Sequence, residues 1–421
     1  MSILVFSGFL QETEMKLKQL TACLVAATML GANPVFAQNN SKVSGDVVKI
    51  GVLTDLSSTY SDLAGPGAVI AAKMAIADFS KDGTVIGKKI ELVSADHQNK
   101  ADIAANKARE WYDKDGVDVI VELVSTNVAL AVMEVAEQKN KITLVSGAGS
   151  VAITNEKCTA NNVHWAYDTY ALSNGTGKAV VKQGKKNWYF ITADYAFGAA
   201  LEKDATAVVT ANGGKVLGTS KHPFPNSDFS SYLLKAQASG ADVVALANAG
   251  QDTINTVKQA SEFGINKKQT VVPLLMFISD VHSLGLNAAQ GMYLTEGFYW
   301  DKDEKTRAFS NRFMLLHKRM PTMVQAGVYS SVLAYLNAVQ KAGTDDTQAV
   351  MKALKSTNID DGLFKGKIRA DGKFEHDMYL LEVKKPSESK SPWDYYYVRA
   401  TIPAAEATLP LSQSKCKLVN K

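Results

Sequence analysis

From Val47 onward the chain alternates short apolar, β-branched runs with longer alanine-rich or amphipathic ones, and this alternation constrains the fold more than any other feature. Parallel strands need a crossover between them, and an amphipathic helix is the usual one. Strands are expected at 47–53, 90–95, 117–124 and 142–145, with helices at 67–79, 101–114 and 126–139. After a short run at 162–167 and a helix over 170–183, the series restarts. Strands at 187–192, 215–218, 243–246 and 270–275 alternate with helices at 197–211, 229–238 and 253–263.

Each series suffices for its own doubly wound, Rossmann-like sheet, so two α/β lobes are expected. Helices at 304–319, 324–341 and 348–356 exceed what the second lobe needs. The chain should therefore return to the first lobe near 297–300 and cross back near Phe364, for a β-rich finish at 367–369, 379–383 and 395–399. The lobes are then 46–168 with 299–364, and 169–298 with 365–400, followed by a tail over 401–421. Three crossings make a hinge with a crevice between the lobes.

Residues 1–37 read as an export signal. Met15-Lys16-Leu17-Lys18 gives the basic start, LTACLVAATMLGANPVFA the apolar core, and Val35-Phe36-Ala37 the small-residue end. Residues 1–14 carry Glu12 and Glu14 and no basic side chain, so Met15 is the expected start and Ala37 the last residue removed. Cys23 precedes most of the apolar core, the wrong order for lipid attachment. No later run nears the ~18 apolar residues of a spanning helix. A periplasmic, soluble product is expected.

Removing 37 of the 421 residues leaves about 384, more than one core usually holds. A net charge of +4, thinly scattered, argues against nucleic acid. Cys158 and Cys416 then form an even pair in an oxidising compartment, where a disulfide is expected and two free thiols are the alternative.

Two strand-to-turn junctions carry the chemistry. The run 117–124 leads into Ser125-Thr126-Asn127, and the run 142–145 into Ser146-Gly147-Ala148-Gly149-Ser150. In a parallel sheet both turns lie at one edge, where N–H groups and hydroxyls suit an anion. Serine, threonine and asparagine also cap helices in any α/β protein, and glycine also ends strands.

The chain resembles the type I periplasmic solute-binding proteins of ABC importers, of the leucine/isoleucine/valine-binding kind, over residues 46–400. The resemblance rests on Val48-Lys49-Ile50-Gly51-Val52-Leu53, Gly67-Ala68, Ala75-Ile76-Ala77-Asp78 and Ser125-Thr126. It continues through Asp194-Tyr195-Ala196-Phe197-Gly198, Asp228-Phe229-Ser230-Ser231-Tyr232 and Ala241-Asp242-Val243-Val244. It implies that a ligand carboxylate is held by the turns at 125–127 and 146–150, through the hydroxyls of Ser125 and Thr126 and N–H groups near Ala148 and Ser150. It places Tyr195 and Phe197 over the ligand from the second lobe, and Tyr60 and Tyr167 are expected along the same crevice. The implied partners are an ABC permease and its ATPase, with the receptor a monomer that needs no cofactor.

One departure matters. Amino-acid-binding members meet the ligand's ammonium with an acid after the strand at 270–275, where this chain has Leu275-Met276-Phe277-Ile278-Ser279-Asp280. Phe277 falls where the acid belongs, and Asp280 is placed to cap a helix. An unneutralised buried ammonium is costly, so a carboxylate with an apolar or aromatic body is the favoured ligand over a branched-chain amino acid. Asn248 is expected to bond a hydroxyl or oxo group on it.

Rival readings are weaker. Gly147-Ala148-Gly149-Ser150-Val151-Ala152 fits a dinucleotide fingerprint, but no periodic helix follows it. There is no G-x-S-x-G elbow, and His97, His164, His222, His282, His317 and His376 show no metal spacing. A ligand sensor for a membrane receptor would share the same fold and crevice.

Overall fold

The structure, a computed structural model, describes residues 43–419; the export signal and its cleavage site lie outside them. Strands β1 (Val47–Thr54), β2 (Thr84–Val85), β3 (Lys88–Asp96), β4 (Val119–Glu122), β5 (Ile142–Val145) and β6 (Asn162–His164) form one sheet, in the order β2-β3-β1-β4-β5-β6. All its pairings are parallel except the short β2–β3 contact. Strands β7 (Asn187–Ala193), β8 (Lys215–His222), β9 (Val243–Ala247) and β10 (Thr270–Pro273) form a second parallel sheet, ordered β10-β9-β7-β8. The central strands β4, β5 and β9 are buried at every residue, as continuous apolar runs in a helix-covered parallel sheet should be. In each sheet the strand order reverses beside the first strand of its series. The loops at those reversals, after β1 and β4 in one lobe and after β7 and β9 in the other, border the crevice.

Two smaller antiparallel sheets complete the fold. Strands β11 (Tyr293–Glu296), β15 (Met378–Val383) and β16 (Tyr396–Ile402) form one; β12 (Ile359–Asp360), β13 (Lys365–Ile368) and β14 (Phe374–His376) form the other. The expectation that 365–400 belong together in the second lobe fails at its start. Lys373, in the turn between β13 and β14, bridges His164 of β6, and the His376 ring lies 3.2 Å from the carbonyl of Trp165. Residues 365–376 thus stay beside the first sheet, and the last crossing comes at about Asp377. Lys373 and Asp168 seal this region with a buried ion pair at 3.0 Å.

Local departures from the expected elements have local causes. The helix expected over 170–183 widens into a π turn at Ser173–Gly177. A Cβ on Gly175 would sit 2.1 Å from the Thr295 hydroxyl, so the turn bends around β11, a strand the periodicity did not announce. β4 stops at Glu122, short of residue 124, because Glu122 and Leu123 both take positive φ (86° and 59°) and break the extended run. A disulfide joins Cys158 to Cys416 and holds the C-terminal tail against the first lobe.

Candidate functional site

The crevice is closed in this structure, and its walls are chiefly aromatic. Tyr60, Leu63, Val124, Gly149 and Tyr167 face Tyr195, Phe197, Ala249, Leu275 and Phe277 around a space of about 10 Å³. That is barely room for one water molecule, so a ligand has to part the lobes to enter.

Each wall residue is positioned by its own element. Asp55, fully buried at the end of β1, accepts the N–H groups of Ser58 and Tyr60, both at 2.8 Å, and the Asn99 amide at 2.6 Å. These bonds curl the polar loop and set Tyr60 inward. The Tyr60 hydroxyl stands 2.6 Å from that of Tyr195, on the loop after β7. Phe224 stacks on both rings, with centroids 4.6 Å from Tyr195 and 5.3 Å from Tyr60. Burial pushes both phenols well above the usual tyrosine range, reinforced for Tyr60 and opposed for Tyr195 by their contact, so both stay neutral hydrogen-bonding groups. Beside them Gly250 takes φ 60°, and a Cβ there would lie 2.7 Å from the Thr59 carbonyl, so close lobe contact requires glycine.

Both turns lie at one sheet edge, as β4 and β5 pair with Glu122 opposite Val145. Ser125 precedes the helix Thr126–Gln138 but makes no side-chain cap, and the Thr126 hydroxyl is buried without a hydrogen-bond partner among the described residues. The helix's first N–H groups are therefore left for another acceptor. In the second turn the N–H groups of Ala148, Gly149 and Ser150 take no backbone acceptor among the described residues. The carbonyls there are already engaged: Tyr167 donates its hydroxyl to Gly147 O at 2.5 Å, and His164 Nε2 lies 2.6 Å from Ala148 O. Free donors and spent acceptors suit an anion.

Several expected contacts lie elsewhere. Ser146 turns its hydroxyl toward Gly327, on the helix Met323–Ala342 of its own lobe. Ser150 caps the short helix Val151–Thr154 by accepting from Ala152 N at 3.3 Å. Asn127 is exposed. Asn248 is buried behind the wall, spent on Thr253, Thr256 and His222. Asp280 accepts the N–H of Phe277 at 3.0 Å at the helix start, leaving Phe277 to face the crevice. Sequence reading missed Leu63, Val124, Ala249 and Leu275, which carry no chemical signal. It also missed Glu122, whose signal was an acid inside a buried apolar strand.

A family model described as periplasmic binding protein matches residues 47–390. Among curated proteins, Leu/Ile/Val-binding protein homolog 6 of Brucella melitensis is 29% identical over 268 residues, 62% of this chain and 66% of that protein, just under two thirds of its length. A periplasmic binding protein of Burkholderia mallei is 55% identical with a TM-score of 0.87, covering 89% of this chain and 99% of its own. A branched chain amino acid ABC transporter periplasmic ligand-binding protein of Burkholderia xenovorans is 40% identical with a TM-score of 0.79, covering 88% and 100%. With two doubly wound lobes closing on one crevice and a match along most of its length, the chain belongs to the periplasmic binding protein family.

Proposed function

We propose that this protein is the extracytoplasmic receptor of an ABC importer, binding a small carboxylic acid with an apolar or aromatic body between its lobes. The carboxylate settles on the turns at Ser125-Thr126 and Ala148-Gly149-Ser150, and the rings of Tyr60, Tyr167, Tyr195, Phe197 and Phe277 enclose the body. The observation that carries this reading is the pairing of unspent donors on one lobe with an aromatic wall on the other. None of the ten wall residues is acidic, so a ligand ammonium would meet no counter-charge. Closure is a population shift, since ligand contacts with both lobes favour the closed form. That form then docks as a monomer on a permease, whose ATPase drives uptake. No cofactor or catalytic step enters.

A second reading, a branched-chain amino acid as ligand in the same role, draws on the name of the Burkholderia xenovorans relative. A thermal-shift screen of the exported chain separates the two, because a ligand that binds only the folded state raises the melting temperature. Stabilisation by benzoates, hydroxycinnamates or aliphatic acids supports the acid reading. Stabilisation by leucine or valine, with none from the acids, overturns it.

A further inference from the structure

Glu122 ends β4 directly beneath both turns and is completely buried. Its Oε2 accepts the N–H of Val124, a wall residue, at 3.2 Å. Its Oε1 presses on the second turn, where a Cβ on Gly147 would lie 2.2 Å from it, and the Thr54 side chain beside the carboxyl favours its ionised form. The Glu122 carbonyl accepts the N–H groups of Ser146 at 3.0 Å and Gly147 at 3.3 Å, and its φ of 86° starts the first turn. One residue thus shapes both halves of the anion cradle and places a carboxyl under it. The titratable groups facing that carboxyl are Asp55, from the loop after β1, and Tyr167, from the first crossing; the field of Asp55 opposes its ionisation, and a charge on Glu122 would oppose that of Tyr167. Burial, the largest influence, pushes the Glu122 carboxyl up to about 8.

We propose that Glu122 is a binding-site residue that works as a neutral acid: an anionic ligand group settles on the two turns only while the carboxyl beneath them keeps its proton. The inference rests on the carboxylate reading above. Two negative charges a few ångströms apart in a dry site cannot both be held, so the ligand's charge and that of Glu122 exclude each other. Binding is then independent of pH below about 7 and is coupled to proton uptake above about 8, where affinity falls about tenfold per pH unit.

Calorimetry with benzoate, in two buffers of different ionisation enthalpy, counts the protons taken up by the exported chain on binding. The expected result is none at pH 6, close to one at pH 9, and none at either pH for Glu122→Gln. Glu122→Met serves the same purpose if the glutamine variant does not fold. No proton uptake by the unaltered chain at pH 9, or equal uptake in the variant, overturns the role of Glu122 and leaves the carboxylate site standing. Failure of benzoates, hydroxycinnamates and aliphatic acids all to bind at pH 6 overturns the acid reading and this inference with it.

Discussion

The Tyr60 and Tyr195 hydroxyls, 2.6 Å apart, link a loop of the first lobe to a loop of the second across the closed crevice. With Phe224 stacked on both rings, they form a clasp that holds the lobes together without a charge. Removing one hydroxyl should cost the closed form about 1 kcal/mol, roughly a fivefold shift in population. Tyr60→Phe is therefore expected to raise the radius of gyration of the ligand-free protein in small-angle scattering. An unchanged scattering curve would mean that the stacked rings alone maintain closure.

Gly149 tests the fit of the lobes. A Cβ there would lie 2.7 Å from the Tyr167 ring and 2.9 Å from the Phe197 ring, one from each side of the crevice. Gly149→Ala should lower the melting temperature, since the methyl meets Tyr167 in its own lobe, and weaken ligand affinity at least tenfold, since it also meets Phe197 on closure. Affinity equal to that of the unaltered chain would show that Phe197 swings away at no cost.

Replacing Ser125 and Thr126 together by alanine removes two hydroxyls from the first turn and keeps its N–H groups. Charge-assisted hydrogen bonds contribute about 1.5–3 kcal/mol each, so losing two of them is expected to weaken affinity for an acid ligand by about a hundredfold to ten-thousandfold in titration. Unchanged affinity would reduce both residues to a helix start.

Buried acids and buried histidines pull stability in opposite directions with pH. His97, His164 and His376, pushed down to about 4, 3 and 4 by burial, favour higher pH below about 6.5, whereas Glu122, Asp280, Asp252 and Glu296 favour lower pH. Glu122 is pushed up to about 8 and Asp280 to about 7, chiefly by burial. Both carboxyls ionise near pH 4 in the unfolded chain, so between pH 4 and 7 the unfolded state releases protons that the folded state keeps. Each acid thus lowers stability as pH rises, by about 1.4 kcal/mol per unit at most, until it ionises in the folded state. Over this window melting temperature should fall less, or rise more, with increasing pH for Glu122→Gln than for the unaltered chain. Parallel curves would contradict the neutral state of Glu122.

The Cys158–Cys416 bond closes a loop of 258 residues. Its loss in a Cys158→Ser, Cys416→Ser double variant should cost about 2–5 kcal/mol of stability. Ligand affinity should not change, because the bond lies away from the crevice walls. A large loss of affinity would place the tail in the closing motion.

The architecture was legible because buried parallel strands are continuous apolar runs, and β1, β4, β5 and β9 all announce themselves that way. Tyr60, Tyr167, Tyr195 and Phe277, in loops beside strand ends, and Phe197, at a helix start, line the crevice where the resemblance and the alternation together put them. β11 was not legible, since so short an element carries too little periodicity. Ser146 and Asn248 misled because a polar residue at a strand end can as well turn inward to its own lobe. Strands β13 and β14 misled because the bridge between Lys373 and His164 is a long-range contact with no local trace.

The central claim is that the two turns hold a charged carboxylate, and comparing an acid with its own amide tests it most directly. Titration calorimetry at pH 6 with benzoate and benzamide keeps the aromatic body and removes the charge. The account predicts at least a hundredfold weaker binding of benzamide, the loss of two or more charge-assisted hydrogen bonds. Equal affinity for the two would contradict it.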